Sequence, residues 1–181
     1  MNSANTLLFQ KGNGTVVNSF TQWGIACCKV PFKAGGKTKD PAKRDWKDEQ
    51  GEDVFLPNKL MFEAYDAEFE MAYVGKELAS NPFNLSLAMT QIKAFKKWLT
   101  GNDTTNGSGA ELKIYSPYAS IGRQKCYLSE ISNEEPRLQL VQEGQNIYHE
   151  NVVTFKVKFR VCDPMTDITL SETSSSSSSN V

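Results

Sequence analysis

The chain has one histidine, His149, and no CxxC, so zinc lacks its usual ligand spacing and a Cys–His nucleophile has a single distant base. It has no phosphate-binding glycine loop of the Walker or dinucleotide type, because Gly12, Gly14, Gly35 and Gly36 are not set between a strand and a helix. No apolar run approaches the ~20 residues that a membrane span needs. Met1–Asn5 lacks the basic region and long apolar stretch of a secretory signal. A charge excess is missing too. Twenty Lys+Arg against 21 Asp+Glu leave a formal net charge of -1, which gives no concentrated positive surface for a phosphate backbone. These absences predict a soluble protein made in a cytoplasm, without membrane contact, cofactor, metal or catalytic residue.

Carboxylates are plentiful, as in Asp48-Glu49 and Glu134-Glu135, but no pair is singled out as lying across a cleft. Asp45, Asp48, Glu49, Glu52 and Asp53 supply oxygens for calcium at a spacing unlike the EF-hand loop, and interleaved Lys and Arg neutralise them. Solvated charge is the expected state of that cluster. The four cysteines, Cys27, Cys28, Cys126 and Cys162, are expected to be buried free thiols, since reduced cysteine behaves as a small hydrophobe.

What is present is strand patterning. Val153–Val161 places apolar residues at every odd position and polar or basic ones at every even position, the period of a strand with one dry face and one wet face. Tyr65–Tyr73 alternates in the same way with Asp66, Glu68 and Glu70 on its wet face. Lys156, Lys158 and Arg160 would face those acids if the two strands pair, and that adjacency is expected. Short strands are also expected within Val16–Val30, and at Leu112–Tyr115, Gln124–Ile131 and Leu138–Val141. Glu143–Asn151 reads as a polar loop or hairpin tip carrying His149.

One helix is expected over about 84–100. Asn84 is its N-cap, Leu85, Ala88, Met89, Ile92, Phe95 and Leu99 form the packed stripe, and Gly101 is its stop. Trp98 lies off the stripe and is a candidate for a second contact surface. The predicted fold is mainly β (α+β): an antiparallel β-sandwich or barrel-like core, one flanking helix and a long charged arm. Residues 1–170 form a single domain, and 171–181, with Ser174–Ser179, form a polar tail too hydrophilic to pack.

Residues 33–58 break the pattern, mixing Ala34-Gly35-Gly36, Pro41 and Pro57 with dense Lys, Asp and Glu. So long a segment without a core pattern is either a solvated loop or an interaction arm. Aromatics inside a charged stretch favour the arm. Arg44, Trp46, Asp48 and Phe55, together with Trp98, are the candidate subunit-interface residues.

From Tyr65 to Leu170 the order of elements resembles the core domain of tailed-bacteriophage tail proteins, the distal tail (baseplate hub) protein and its relative the tail tube subunit. The residues that carry the resemblance are Tyr65–Tyr73, the helix end Ile92–Leu99, Glu111–Tyr118, Lys125–Leu128 and Val153–Val161 closed by Cys162-Asp163-Pro164. The resemblance implies a structural virion protein made in the host bacterial cytoplasm and built into a phage or prophage tail. It implies a hexameric ring that contacts neighbouring tail proteins, with DNA passing through the lumen without specific binding. A tail tube subunit that stacks into a tube is the alternative within this class. A carbohydrate-binding β-sandwich, with Trp23, Trp46 and Trp98 stacking on sugars, is the alternative outside it.

Overall fold

The computed structural model describes residues 6–33, 36–48, 50–74, 85–143 and 146–172, with backbone alone for 133–143 and 146–152. Its elements in chain order are β1 (Leu8–Lys11), β2 (Val17–Asn18), α1 (Ser19–Trp23), β3 (Ile25–Lys29), β4 (Ala42–Asp45), β5 (Glu52–Phe55), β6 (Tyr65–Tyr73), α2 (Leu85–Leu99), β7 (Leu112–Ser116), β8 (Ile121–Glu143) and β9 (Asn146–Val161). Seven strands form one sheet in the order β2-β1-β7-β8-β9-β6-β3, and β4 and β5 pair separately. The fold is mainly β, of the α+β class, and every strand pair in it is antiparallel.

The expected pairing of the acidic and basic strands is present. Asp66 lies opposite Arg160, Glu68 opposite Lys158 and Glu70 opposite Lys156. Ala67, Phe69 and Met71 of β6 and Phe155, Val157, Phe159 and Val161 of β9 are buried on the other face. On the wet face the ion pairs run across four strands: Lys29–Glu70 at 3.6 Å, Lys156–Glu68 at 2.9 Å, Arg160–Asp66 at 3.1 Å and Lys158–Glu130 at 3.2 Å. The Lys156 ammonium, through its hydrogen bond, holds the Glu68 carboxyl below the ordinary carboxylate range.

α2 covers the dry face with Ala88, Ile92, Phe95 and Leu99. Phe95 meets Phe9 at 5.7 Å and Trp23 at 4.9 Å between ring centroids, so β1, α1 and α2 share one aromatic cluster. Gly101 ends α2 at φ 78°, and Asn102 N donates to the Lys97 carbonyl at 2.8 Å, closing the last turn. The expected N-cap Asn84 lies outside the described residues.

Three expectations change. A second, five-residue helix, α1, follows Asn18, whose side chain accepts from Phe20 N and Thr21 N, and Gly24 ends it in the left-handed region. The strands expected at Gln124–Ile131 and Leu138–Val141 are one strand, β8, which takes up the interruption as register shifts at Leu128/Glu130 and Ser132/Glu135. The Glu143–Asn151 loop is mostly strand too, with His149 opposite Leu140 in the β8–β9 hairpin.

The sheet is staggered. β7 pairs with β8 only up to Cys126, and β9 pairs with it only from Cys126 onward. Gly122, Tyr115, Leu8 and Asn18 line up across the ends of β8, β7, β1 and β2. The C-terminal segment 162–172 straps over that row. Asp167 bridges to Arg123, Ile168 N donates to the Gly122 carbonyl at 3.4 Å, and the Asn18 amide donates to the Glu172 carboxylate. Leu170 of the strap is buried.

Candidate assembly surfaces

The chain leaves the sheet after β3 and returns into β6 through a narrow neck. Thr38 bridges Phe62, Lys39 N donates to the Met61 carbonyl at 2.7 Å, and Glu63 N donates to the Lys37 carbonyl at 2.8 Å. Beyond the neck, β4 pairs with β5 from Ala42↔Phe55 to Asp45↔Glu52, and every residue of both strands is exposed. A two-stranded hairpin with neither face covered is marginal by itself. Its polar residues satisfy one another. The Arg44 guanidinium sits 3.6 Å from the Trp46 ring centroid, Trp46 Nε1 donates to Asp53 Oδ2 at 3.0 Å, and Lys43 pairs with Glu52 at 3.2 Å.

The apolar residues of this arm have no such cover. Phe55 is 73% exposed, Leu56 68% and Met61 63%, with Val54 and Leu60 also exposed. Exposed apolar side chains thus gather on a segment that is otherwise densely charged. Of the residues singled out in the sequence, Phe55 is the most exposed apolar side chain. Trp46 is engaged by Arg44 and Asp53, and Asp48 is exposed in the turn between β4 and β5. Leu56, Leu60 and Met61 escaped the sequence reading, although Val54-Phe55-Leu56 and Leu60-Met61-Phe62 are short apolar runs inside the charged stretch.

Trp98 differs from expectation. It is partly buried against its own chain, 5.3 Å from Trp23 and 6.2 Å from Phe9, because α1 and β1 extend the core around the side of α2. Lys11 covers it from outside, with Nζ 4.4 Å from the ring centroid, donating to the Trp98 carbonyl and to Ser108 Oγ. Burial lowers the Lys11 pKa, and Asp103 at 3.9 Å opposes that shift. Trp23 is buried as well, so of the three tryptophans only Trp46 presents a substantial surface to solvent.

The main sheet has open edges among the described residues. β3 pairs only with β6, and its register slips between Cys27 and Lys29, a bulge of the kind that blunts an edge. β8 beyond Cys126 pairs only with β9, and β9 before Val153 pairs only with β8. Beyond the sheet, residues 137–143 and 146–152 thus pair only with each other. They continue from the Tyr73–Val153 end of the β6–β9 ladder, whereas the arm joins at the opposite end, where Tyr65 pairs with Val161.

All four cysteines are free thiols, but only Cys27 and Cys126 are buried. Burial pushes both of these thiols up to about 12. Cys28 and Cys162 are exposed, the first on the edge strand and the second just past the end of β9. Among the described residues no three His, Cys, Asp or Glu side chains gather closely enough to hold a metal ion. No described helix is long and apolar enough to cross a membrane. An open pocket of about 220 Å³ beside Asn18 and Glu172 is smaller than the ~300–1,000 Å³ usual for a small-molecule site. No protein-family model matches the chain, and a search of curated proteins finds no match.

Proposed function

We propose that the chain is a structural subunit of a phage or prophage tail that assembles with copies of itself around the DNA channel. The observation that carries this reading is the pair of projections at opposite ends of the β6–β9 ladder: an arm with exposed Phe55, Leu56 and Met61 at one end, and at the other the β8 and β9 segments 137–143 and 146–152, which pair only with each other among the described residues. An interface that joins one end of a subunit to the other end of the next is heterologous, and repeats until it closes or runs on as a filament. The open edge of β8 beyond Cys126 suits lateral strand addition, which in a closed ring satisfies that edge. Of the two forms, a lone distal tail ring and a stacked tail tube, the opposed projections favour the tube. The resemblance of Tyr65–Leu170 to the tail-protein core points to the same class.

The test is the mass of the purified full chain by light scattering across a concentration series, with negative-stain images of the same samples. Open-ended tubes, or rings that stack as concentration rises, are expected. Closed rings that never stack would move the reading to the distal tail ring. A monomer at every concentration, with and without co-expressed tail proteins, would overturn it.

A further inference from the structure

We propose that the buried Arg123 guanidinium couples the C-terminal strap to the root of the arm, so that loosening the strap loosens the arm. Arg123 is only 3% exposed. Its Nη1 donates to the Gly122 carbonyl at 2.9 Å and to the Asp167 carboxylate of the strap. Its Nη2 donates to the Lys33 carbonyl at 2.9 Å, and Lys33 is where the chain departs toward the neck. One planar group therefore holds two segments 134 positions apart in sequence, as the numbering of Lys33 and Asp167 shows.

The fork makes the two contacts interdependent. A guanidinium is rigid and planar, so turning one Nη away from its partner turns the other as well. Nε has no partner among the described residues, which leaves the orientation to be set by the two Nη groups alone. Asp167 is the only acidic partner of this buried cation among the described residues, and a buried charge deprived of its counter-ion is strongly disfavoured. The Asp167 side chain is 75% exposed, so the pair opens from the strap side without disturbing the core. When it opens, Arg123 follows its charge toward solvent and Nη2 leaves Lys33. The remaining anchors of the root are the packing of Phe32 on Phe69 at 5.1 Å and the placement of Lys33 Nζ 5.6 Å from the Tyr65 ring centroid. Neither replaces the lost hydrogen bond. This coupling is independent of the tail reading, since it needs only one copy of the chain.

The experiment is hydrogen–deuterium exchange by mass spectrometry on the full chain, comparing the parent with Asp167→Asn and Asp167→Ala. Exchange is read in the strap (162–172), the neck (36–41 and 60–64) and, as reference, β6. Loss of a hydrogen bond to a charged group implies acceleration of roughly tenfold or more. Strap and neck are expected to accelerate together, more in Asp167→Ala than in Asp167→Asn, with β6 unchanged. A faster strap with an unchanged neck would overturn the coupling, as would no change in either, or equal acceleration in β6. Arg123→Lys, which keeps the charge and loses the fork, is expected to give the same pattern. If that buried substitution disturbs β6, the two variants at exposed Asp167 decide.

Discussion

Replacing Phe55 and Leu56 with serine separates an arm made for a partner from an arm that belongs to its own domain. Phe55 is 73% exposed and Leu56 68%, so most of the gain from burying them is unrealised in the single subunit. Fully burying such a side chain stabilises by about 1.5–3 kcal/mol. Seven-tenths of that leaves about 1–2 kcal/mol each, or about 2–4 kcal/mol for the pair where a neighbour covers both. At ~1.4 kcal/mol per tenfold, each arm contact weakens by ~30- to 1,000-fold. The double variant should therefore shift the light-scattering assembly curve to higher concentration by more than an order of magnitude. Its unfolding free energy in urea, measured below the assembly threshold, should stay within about 0.5 kcal/mol of the parent, as for other surface substitutions. Unchanged assembly would refute the anchoring role. A subunit destabilised by well over 1 kcal/mol would show that the arm packs on its own domain.

Three further outcomes are expected. Gly122→Ala should destabilise by about 1–3 kcal/mol in urea, because the new Cβ meets the Ile168 carbonyl of the strap; a loss under 0.5 kcal/mol would mean the strap yields freely. A maleimide at neutral pH should label Cys28 and Cys162 in the native protein and reach Cys27 and Cys126 only on unfolding, as intact-mass analysis will show. Glu68→Lys should lower the thermal midpoint, and adding Lys156→Glu should recover part of the loss, because Lys158 and Glu70 still lie directly opposite the two changed positions; no recovery would mean the ion pair contributes nothing. The carboxyls of Glu68 and Asp163 are both depressed, Glu68 by the Lys156 hydrogen bond and Asp163 by that of Gln124. Their contribution to stability is present above the ordinary carboxylate range of about 4 and lost as pH falls through the lowered folded values, so the midpoint should drop on the acid side.

β6 and β9 were legible in the sequence because each has one dry face and one charged face, and alternation records that difference residue by residue. The α2 stripe was legible for the same reason at helical period. The arm hairpin left no such mark: both faces of β4 and β5 are wet, so nothing alternates. α1 is too short to show a period, although its signals, Asn18 before Ser19 and Gly24 after Trp23, were there to be read. β8 continues through Pro136, because a strand whose outer edge is unpaired tolerates a proline. The long-range Arg123 contacts had no sequence signal, since Lys33 and Asp167 meet it only once the chain is folded. Among the five candidate interface residues, Phe55 and Trp98 differ most in their surroundings. Phe55 is free, and Trp98 is absorbed into a cluster whose other half comes from β1 and α1.

The charge ladder between β6 and β9 has a consequence for how the chain finds its fold. All three acids lie on one strand and all three bases on the other, so sliding β9 by two residues keeps every face-to-face charge favourable except at the ends. The ladder therefore encodes which strands belong together and says little about their alignment. Alignment falls to the dry side, where Phe69, Met71, Phe155 and Phe159 differ enough in shape to reject a slipped neighbour. A folding chain can thus recognise the right partner across ~90 residues through charge alone, while everything is still wet, and correct its register later as the aromatic layer closes.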